Sequence, residues 1–261
     1  MKALVIGGDS LIGKFLLGGF LEELGIELTK STRQEKNLGP SEVNIDLKLV
    51  QKTSFSKQYD SAVICAGITN INYCQENYNE AKLVNFTNTI QLIDNLIQNG
   101  SRIIFLSTNL VFSGEKAFSH KDDLRNPKTV YGNLKKQVED YLIETYPTKS
   151  AILRLTKVLP AHSSLQYLPW QIEVINGNVV NMYTNTYISP VSIEEVGDVI
   201  GKLIISKLSG VFQLGGAHEI TNFDFAISWA SQNELNTSLI KPSLNLDPIC
   251  SYHNSLFREI P

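Results

Sequence analysis

The chain has 261 residues, of which 43% are hydrophobic and 19% charged, and its formal net charge is −3. This length allows a sizeable buried core, and no stretch concentrates Lys and Arg as in proteins that bind nucleic acid or anionic membranes. Because no CxxC or HxxxH pair is present and no apolar run could span a bilayer, we expect a cytoplasmic protein without a metal site.

Short apolar segments alternate with helical ones along the first part of the chain. We predict strands at residues 2–6, 26–29, 43–47, 60–65, 102–106 and 151–155, and helices at 11–24, 79–98 and 129–144. Such strands pair in parallel, because right-handed crossovers place helices on both faces of the sheet. The pattern predicts an α/β protein with a Rossmann-type doubly wound parallel sheet, and a nucleotide-binding domain over residues 1–155.

Beyond residue 155 the alternation weakens. Ser192 and Glu195 form a capping box that predicts a helix, residues 210–216 read as a strand entering a loop, and another helix is expected from about residue 222. We predict that residues 156–261 form a small mixed α/β part that packs on the first domain and binds the substrate.

A glycine-rich turn follows the first predicted strand, with the sequence Gly-Gly-Asp-Ser-Leu-Ile-Gly at residues 7–13. Gly7 permits a tight turn, and Gly13 allows the following helix to pack closely on the sheet. A dinucleotide pyrophosphate would bind at the helix N-terminus, where free N–H groups favour an anion. The predicted cofactor-binding residues of the turn are Gly7, Asp9, Ser10, Leu11, Ile12 and Gly13. The alternative is a turn that binds no ligand.

The ends of three further strands carry residues suited to a dinucleotide. The second strand ends without the acid that NAD-selective sites use for the ribose hydroxyls; Ser31, Thr32 and Arg33 stand there and can bind the 2′-phosphate of NADP. An ordinary solvated loop is the alternative. The other candidates at strand ends are Asp46, Leu47, Cys65, Ala66 and Gly67.

Tyr131 and Lys135 form a YxxxK pair at the start of a predicted helix, where their spacing places both side chains on one face. Ketone reduction needs a proton donor, and we expect the Lys135 ammonium to lower the pKa of Tyr131. Lys135 can also bond the nicotinamide ribose. Thr108 ends the fifth strand, where its hydroxyl can hold the substrate carbonyl. We predict Thr108, Tyr131 and Lys135 as catalytic residues.

These motifs resemble the extended short-chain dehydrogenases, and most closely the dTDP-4-dehydrorhamnose reductase branch. The matching stretches are residues 7–13, 65–69, 84–85, 107–112, 126–135, 152–154 and 253–256. The resemblance implies an NADPH-dependent oxidoreductase with Thr108, Tyr131 and Lys135 as its catalytic triad. It also implies that Asn85 supports the site and that Asp46 and Leu47 lie beside the adenine.

Departures from that family fall mainly at the substrate positions. Asn109 and Leu110 stand where the branch has Asp and Tyr, Asn72 where it has an acid, and Lys157 where it has Trp. Ser10 also replaces the middle glycine of the cofactor turn. We predict a substrate pocket near Thr69, Asn72, Asn109, Leu110 and Lys157 that does not favour a dTDP-deoxysugar.

The leading hypothesis is an NADPH-dependent reductase of a keto group on a nucleotide-linked sugar or a related small molecule. A nucleotide-sugar epimerase or dehydratase with tightly held NAD is one alternative, and a non-catalytic NADP-binding regulatory subunit is another. The expected partner is a small-molecule substrate, with no nucleic acid and no membrane, and the sequence is compatible with a homodimer.

Overall fold

The computed structural model describes residues 1–33, 38–49, 57–160 and 168–261, and a seven-stranded sheet lies at the centre of this part of the chain. In chain order the strands are β1 (Lys2–Ile6), β2 (Glu27–Thr32), β3 (Glu42–Asn44), β4 (Ser61–Ile64), β5 (Arg102–Thr108), β6 (Ser150–Leu155), β7 (Val158–Leu159), β8 (Val180–Tyr183), β9 (Tyr187–Ile188), β10 (Val191–Ser192), β11 (Gly210–Leu214), β12 (Ile220–Thr221), β13 (Ile240–Ser243) and β14 (His253–Asn254).

The helices lie mainly between these strands. They are α1 (Leu11–Phe15), α2 (Leu21–Glu23), α3 (Ile71–Glu76), α4 (Tyr78–Lys82), α5 (Asn88–Gln98), α6 (Val130–Thr145), α7 (Pro169–Ile175), α8 (Ile193–Ser206) and α9 (Asn222–Gln232). Among the described helices, none is both long enough and apolar enough to cross a membrane.

The central sheet has the strand order β11-β6-β5-β4-β1-β2-β3, and every neighbouring pair is parallel. Alternate residues of β1 enter two separate cores: Ala3 and Val5 pack with α8, whereas Leu4 and Ile6 pack with α5 and α6. Both faces of the sheet are therefore covered by helices, which is why its strands read as continuous apolar runs. The predicted doubly wound parallel sheet is confirmed.

The predicted helix at residues 11–24 is interrupted. A π-type turn at Leu16–Phe20 separates α1 from α2, and Gly19 within it has φ 101°. That left-handed conformation favours glycine, since a side chain would be strained there. Gly19 thus marks the point at which the predicted helix is interrupted.

Residues beyond 155 contribute to two different regions. Short sheets β10-β7, β12-β9-β14 and β13-β8 form the smaller part, with a core around Val174, Ala226 and Ile240. The capping box of α8 forms as predicted, with Ser192 Oγ accepting from the Glu195 N–H at 3.1 Å. However, β11 pairs with β6 in the central sheet. The sheet therefore includes chain from both sides of residue 155, and the division into domains there stays a prediction.

Candidate active site

A cavity of about 330 Å³ opens at the carboxyl ends of β1, β2 and β4, the edge at which open α/β sheets bind ligands. It is lined by Gly7, Asp9, Ser10, Ser31, Thr32, Arg33, Ile45, Asp46, Leu47, Lys48, Cys65, Ala66, Gly67, Ile68, Thr69 and Val84. The structure thus brings together most of the predicted cofactor residues and adds Ile45, Lys48, Ile68 and Val84. Leu11, Ile12, Gly13 and Lys135 lie outside this lining.

The glycine-rich turn is closely packed around the first strand exit. Gly7 has φ 86°, and a Cβ there would approach the Ala66 nitrogen to 2.7 Å. A Cβ on Gly13 would overlap the Gly7 carbonyl oxygen, so α1 approaches the strand as closely as glycine permits. Leu11 and Ile12 form the first turn of α1, where backbone N–H groups lack helical acceptors. The turn leaves room for a phosphate group above it.

Several polar side chains of the cavity hold the turn in place. Ser10 caps α1, since its Oγ accepts from the Gly13 N–H at 3.0 Å. Ser31 Oγ accepts from the Gly7 N–H at 2.8 Å and thereby ties β2 to the turn. Asp9 forms an ion pair with Lys30 at 3.0 Å and accepts from the Thr32 hydroxyl at 3.4 Å. Ser31 and Thr32 are buried, whereas the Arg33 side chain is exposed at the rim.

Two asparagines fix the other walls of the cavity. Asn85 is buried and bonds both backbone groups of Ile68, accepting from the N–H at 2.7 Å and donating to the carbonyl at 2.8 Å. Asn88 donates to the Leu47 carbonyl at 2.6 Å. These bonds hold the loops after β4 and β3. The support predicted for Asn85 stays a prediction about function, and these two bonds are the contacts through which it can act.

The segment after β5 connects Thr108 to the start of α6, which carries Tyr131. Thr108 is the last residue of β5, and its Oγ1 accepts from the Leu110 N–H at 3.2 Å. Leu110 packs with Tyr131 in one apolar cluster, and a Cβ on Gly132 would overlap the Leu110 carbonyl oxygen. The start of α6 therefore lies directly against the end of the strand that carries Thr108.

The expected lowering of the Tyr131 pKa is wrong for this structure. Burial raises the pKa of Tyr131 above its ordinary value, with a smaller contribution from the Cys74 thiol. The Lys135 ammonium does not offset this, because its Nζ donates to the Leu106 carbonyl at 2.8 Å and lies 4.3 Å from the Phe105 ring centre. The buried phenol keeps its proton at neutral pH, and its raised pKa makes it a weaker proton donor than an unperturbed tyrosine.

Lys135 connects the helix α6 to the cofactor cavity. Burial lowers its pKa to about 8, and the Cys65 thiol and the Glu139 carboxylate act in the opposite direction. Cys65 lines the cavity; burial raises the pKa of its thiol to about 12, partly offset by Lys135. The ammonium is therefore close to the cavity wall, and Tyr131 lies one turn earlier on the same helix.

The predicted substrate residues are less closely grouped. Thr69 lines the cofactor cavity, and Asn72 is exposed on α3. Asn109 donates to Asn254 Oδ1 at 3.0 Å, which joins the C-terminal segment to the end of β5. Lys157 follows β6 and is partly buried, and burial lowers its pKa.

Sequence reasoning missed some of the residues that shape this site. Ile45, Lys48, Ile68 and Val84 are chain neighbours of predicted positions, so strand ends widened by two residues would have included most of them. Asn254 lies in residues 253–256, which match the family, but nothing in the sequence pairs it with Asn109. Such a contact depends on the fold of the C-terminal part.

Comparisons with known proteins agree on one family. Residues 1–248 match the family described as RmlD substrate binding domain. A spore coat polysaccharide biosynthesis protein from Bacillus subtilis is 22% identical over 241 residues, 92% of this chain and 82% of that protein. A probable low-salt glycan biosynthesis reductase from Haloferax volcanii is 26% identical over 257 residues, 95% of this chain and 85% of that protein.

Solved structures share the fold at low sequence identity. A dTDP-4-dehydrorhamnose reductase from Clostridium acetobutylicum has a TM-score of 0.84 at 21% identity, covering 98% of this chain and 90% of that one. The Bacillus anthracis dTDP-4-dehydrorhamnose reductase, solved with NADP, has a TM-score of 0.82 at 15% identity, covering 98% and 89%. A Streptomyces venezuelae dTDP-glucose 4,6-dehydratase, solved with NAD, has a TM-score of 0.82 at 16% identity, covering 98% and 88%.

Proposed function

The chain belongs to the RmlD substrate binding domain family, and from this membership we propose that it is an NADPH-dependent reductase of a keto group on a nucleotide-linked sugar. Membership confirms the predicted resemblance to extended short-chain dehydrogenases and the predicted class of NAD(P)-dependent oxidoreductase. The substrate and the choice of NADP belong to the proposal.

One observation carries it. The helix α6 presents Tyr131 beside the segment that follows Thr108, and one turn later it presents Lys135 beside Cys65 in the cofactor cavity. A single rigid helix thus reaches both the expected substrate carbonyl and the expected cofactor. A protein that only binds the cofactor would need the cavity, but it would not need the Tyr131 hydroxyl near the end of β5.

The residues of the cavity suit a dinucleotide phosphate. The N-terminus of α1 would offer the N–H groups of Leu11 and Ile12 to the pyrophosphate, Arg33 a guanidinium to the 2′-phosphate, and Lys135 an ammonium to the nicotinamide ribose. Asp9 is paired with Lys30, so its charge is neutralised near the phosphates. A bound NADPH would supply the hydride.

The chain's own groups then handle the carbonyl and its proton. The Thr108 hydroxyl holds the carbonyl oxygen, and Tyr131 donates its proton to that oxygen while the carbonyl carbon gains the hydride. The products are an alcohol and NADP⁺, and solvent returns a proton to Tyr131. A tyrosine is already protonated at neutral pH, as this step requires, and burial raises its pKa further.

The proposal is tested with purified protein, NADPH and a panel of keto-sugar nucleotides, by following the loss of nicotinamide absorbance. We expect turnover on at least one member, and weak turnover of dTDP-4-dehydrorhamnose because Asn109, Leu110 and Lys157 replace the family's residues. Tyr131→Phe should bind NADPH normally and lose roughly 10²–10⁴-fold in kcat, since general acid catalysis contributes that much. Normal turnover by Tyr131→Phe would contradict the assignment.

A further inference from the structure

A buried group of charged side chains lies behind α6, outside the cofactor cavity. Glu139 and Arg154 are its centre, with side chains 0% and 1% exposed. Arg125, which is about one-fifth exposed, also contacts Glu139. The proposed reaction makes no direct use of these side chains. Charged side chains are rarely buried so completely, and they are paired where they are.

The Glu139 carboxylate joins three elements of the fold. Its Oε1 accepts from Ser107 Oγ on β5 at 2.5 Å, and its Oε2 accepts from Arg154 Nη2 on β6 at 2.7 Å. Ser107 and Arg154 are directly paired residues of the neighbouring strands. Arg125 Nη1 donates to the same Oε2 at 3.0 Å, so both carboxylate oxygens have charged or hydroxyl donors.

Arg154 is held from its other side. Its Nη1 donates to Gln213 Oε1 on β11 and to the Lys121 carbonyl, each at 3.1 Å. Gln213 in turn donates to the Ser119 carbonyl at 2.9 Å. Because each side chain of the group has a fixed partner, the position of the Glu139 carboxylate is well determined.

The position of this carboxylate relates it to the catalytic residues. Glu139 lies one helical turn after Lys135 and two turns after Tyr131 on α6, and its partner Ser107 immediately precedes Thr108 on β5. The Ser107–Glu139 hydrogen bond is therefore a direct side-chain link between the catalytic helix and the catalytic strand. A buried ion pair adds little net stability over well-packed apolar residues, so its value lies in geometry and charge.

We propose that Glu139 is a positioning residue, whose carboxylate fixes α6 against β5 and supplies a buried negative charge one turn from the Lys135 ammonium. This inference rests on the proposed function, since it concerns how Lys135 serves the cofactor. Glu139 touches neither the cofactor cavity nor the substrate position, and it acts through Lys135 and Ser107.

The surroundings of Lys135 define what a change at Glu139 should do. Cys65 faces it from the exit of β4, the Phe105 ring and Leu106 carbonyl face it from β5, and Glu139 lies on its own helix. Arg154 and Arg125 both pair with the Glu139 carboxylate. Burial lowers the pKa of Lys135 to about 8, and Glu139 works against that loss of charge.

The test is the pH dependence of NADPH binding, measured by fluorescence titration of the full chain between pH 6 and pH 10. Wild-type affinity should fall as pH rises through about 8, where Lys135 loses its proton. Glu139→Gln keeps the shape but removes the charge, so the midpoint should move to lower pH by about half a unit or more. Glu144→Gln is the matched control: it removes a carboxylate from the same helix at an exposed position, and its midpoint should stay unchanged.

A second variant guards against unfolding. Glu139→Gln alone leaves Arg154 buried without its counter-charge, whereas Glu139→Gln with Arg154→Gln leaves a neutral pair and should shift the midpoint in the same direction. If wild type and the folded variants lose NADPH affinity at the same pH, the role proposed for Glu139 is wrong, and the proposed function of the chain is unaffected. A wild-type protein that does not bind NADPH would instead contradict the proposed function, and the inference with it.

Discussion

Arg33 differs from Ser31 and Thr32 at the end of β2, because its side chain is exposed whereas theirs are buried and bonded within the turn. A 2′-phosphate would therefore depend mainly on the Arg33 guanidinium. We predict that Arg33→Ala weakens NADPH binding roughly tenfold, since an exposed charge-assisted hydrogen bond contributes about 1.5 kcal/mol. NADH binding should change little, as measured by parallel fluorescence titrations.

Arg258→Ala serves as the control for this variant. Arg258 is another half-exposed arginine, but it pairs with Glu195 on α8 rather than lining the cavity. Its loss should leave both affinities unchanged. Equal losses of affinity for NADPH and NADH in Arg33→Ala would show that Arg33 does not bind the 2′-phosphate.

Burial of the Lys135 ammonium lowers the stability of the folded chain at neutral pH. Its pKa falls from the ordinary 10.5 to about 8 in the folded chain, so between these values the unfolded chain binds more protons and stability rises with pH. At pH 7 the buried ammonium is destabilising. Lys135→Met should therefore raise stability at pH 7 by about 1–3 kcal/mol while it weakens NADPH binding.

Chemical denaturation at pH 7 and pH 10 measures this effect. The gain in the free energy of unfolding should be largest at pH 7 and smaller at pH 10, because most Lys135 side chains of the wild type are uncharged at pH 10. Lys136→Met on the same helix, where Lys136 pairs with Asp140 near solvent, should give no such gain. A Lys135→Met protein less stable than wild type at pH 7 would contradict the account.

At the scale of elements, the contact between α6 and the end of β5 decides where Tyr131 lies relative to Thr108. A Cβ at Gly132 would overlap the Leu110 carbonyl oxygen, whereas a Cβ at Gly18 would meet nothing within 4 Å. Gly132→Ala should displace the start of α6, lower stability by about 1–3 kcal/mol and reduce kcat. Gly18→Ala should leave both within error, and equal behaviour of the two variants would contradict the close packing at Gly132.

Sequence reasoning was most successful in predicting the individual helices and strands. Short apolar runs such as Ala62 to Ile64 and the Ser192 capping box have local causes, and the structure contains the corresponding strand and helix. The break at Gly19 and the hydroxyl roles of Ser10 and Ser31 depend on how the turn packs, which periodicity does not contain. The Tyr131 pKa was predicted in the wrong direction, because burial of the phenol raises it and the depth of that burial depends on how α6 packs.

At the scale of the whole molecule, the sheet draws strands from both ends of the chain. β11 lies in the chain between the short strands of the C-terminal part and still pairs with β6, next to β5. Asn254 returns to Asn109 from the last residues of the chain. The cavity at the strand ends, the helix α6 and the C-terminal segment therefore meet at one edge of a single sheet, and this arrangement suits the proposed hydride transfer from a cofactor to a substrate held between them.

The most direct test of that arrangement is the fate of a labelled hydride. The protein is incubated with NADPH deuterated at the transferred position and with keto-sugar nucleotides, and the sugar products are examined by mass spectrometry. A net reductase places the deuterium on the former carbonyl carbon, and we predict one deuterium in the alcohol product. A product altered without deuterium would indicate an epimerase or dehydratase that recycles its own NAD, and it would contradict the proposed reduction.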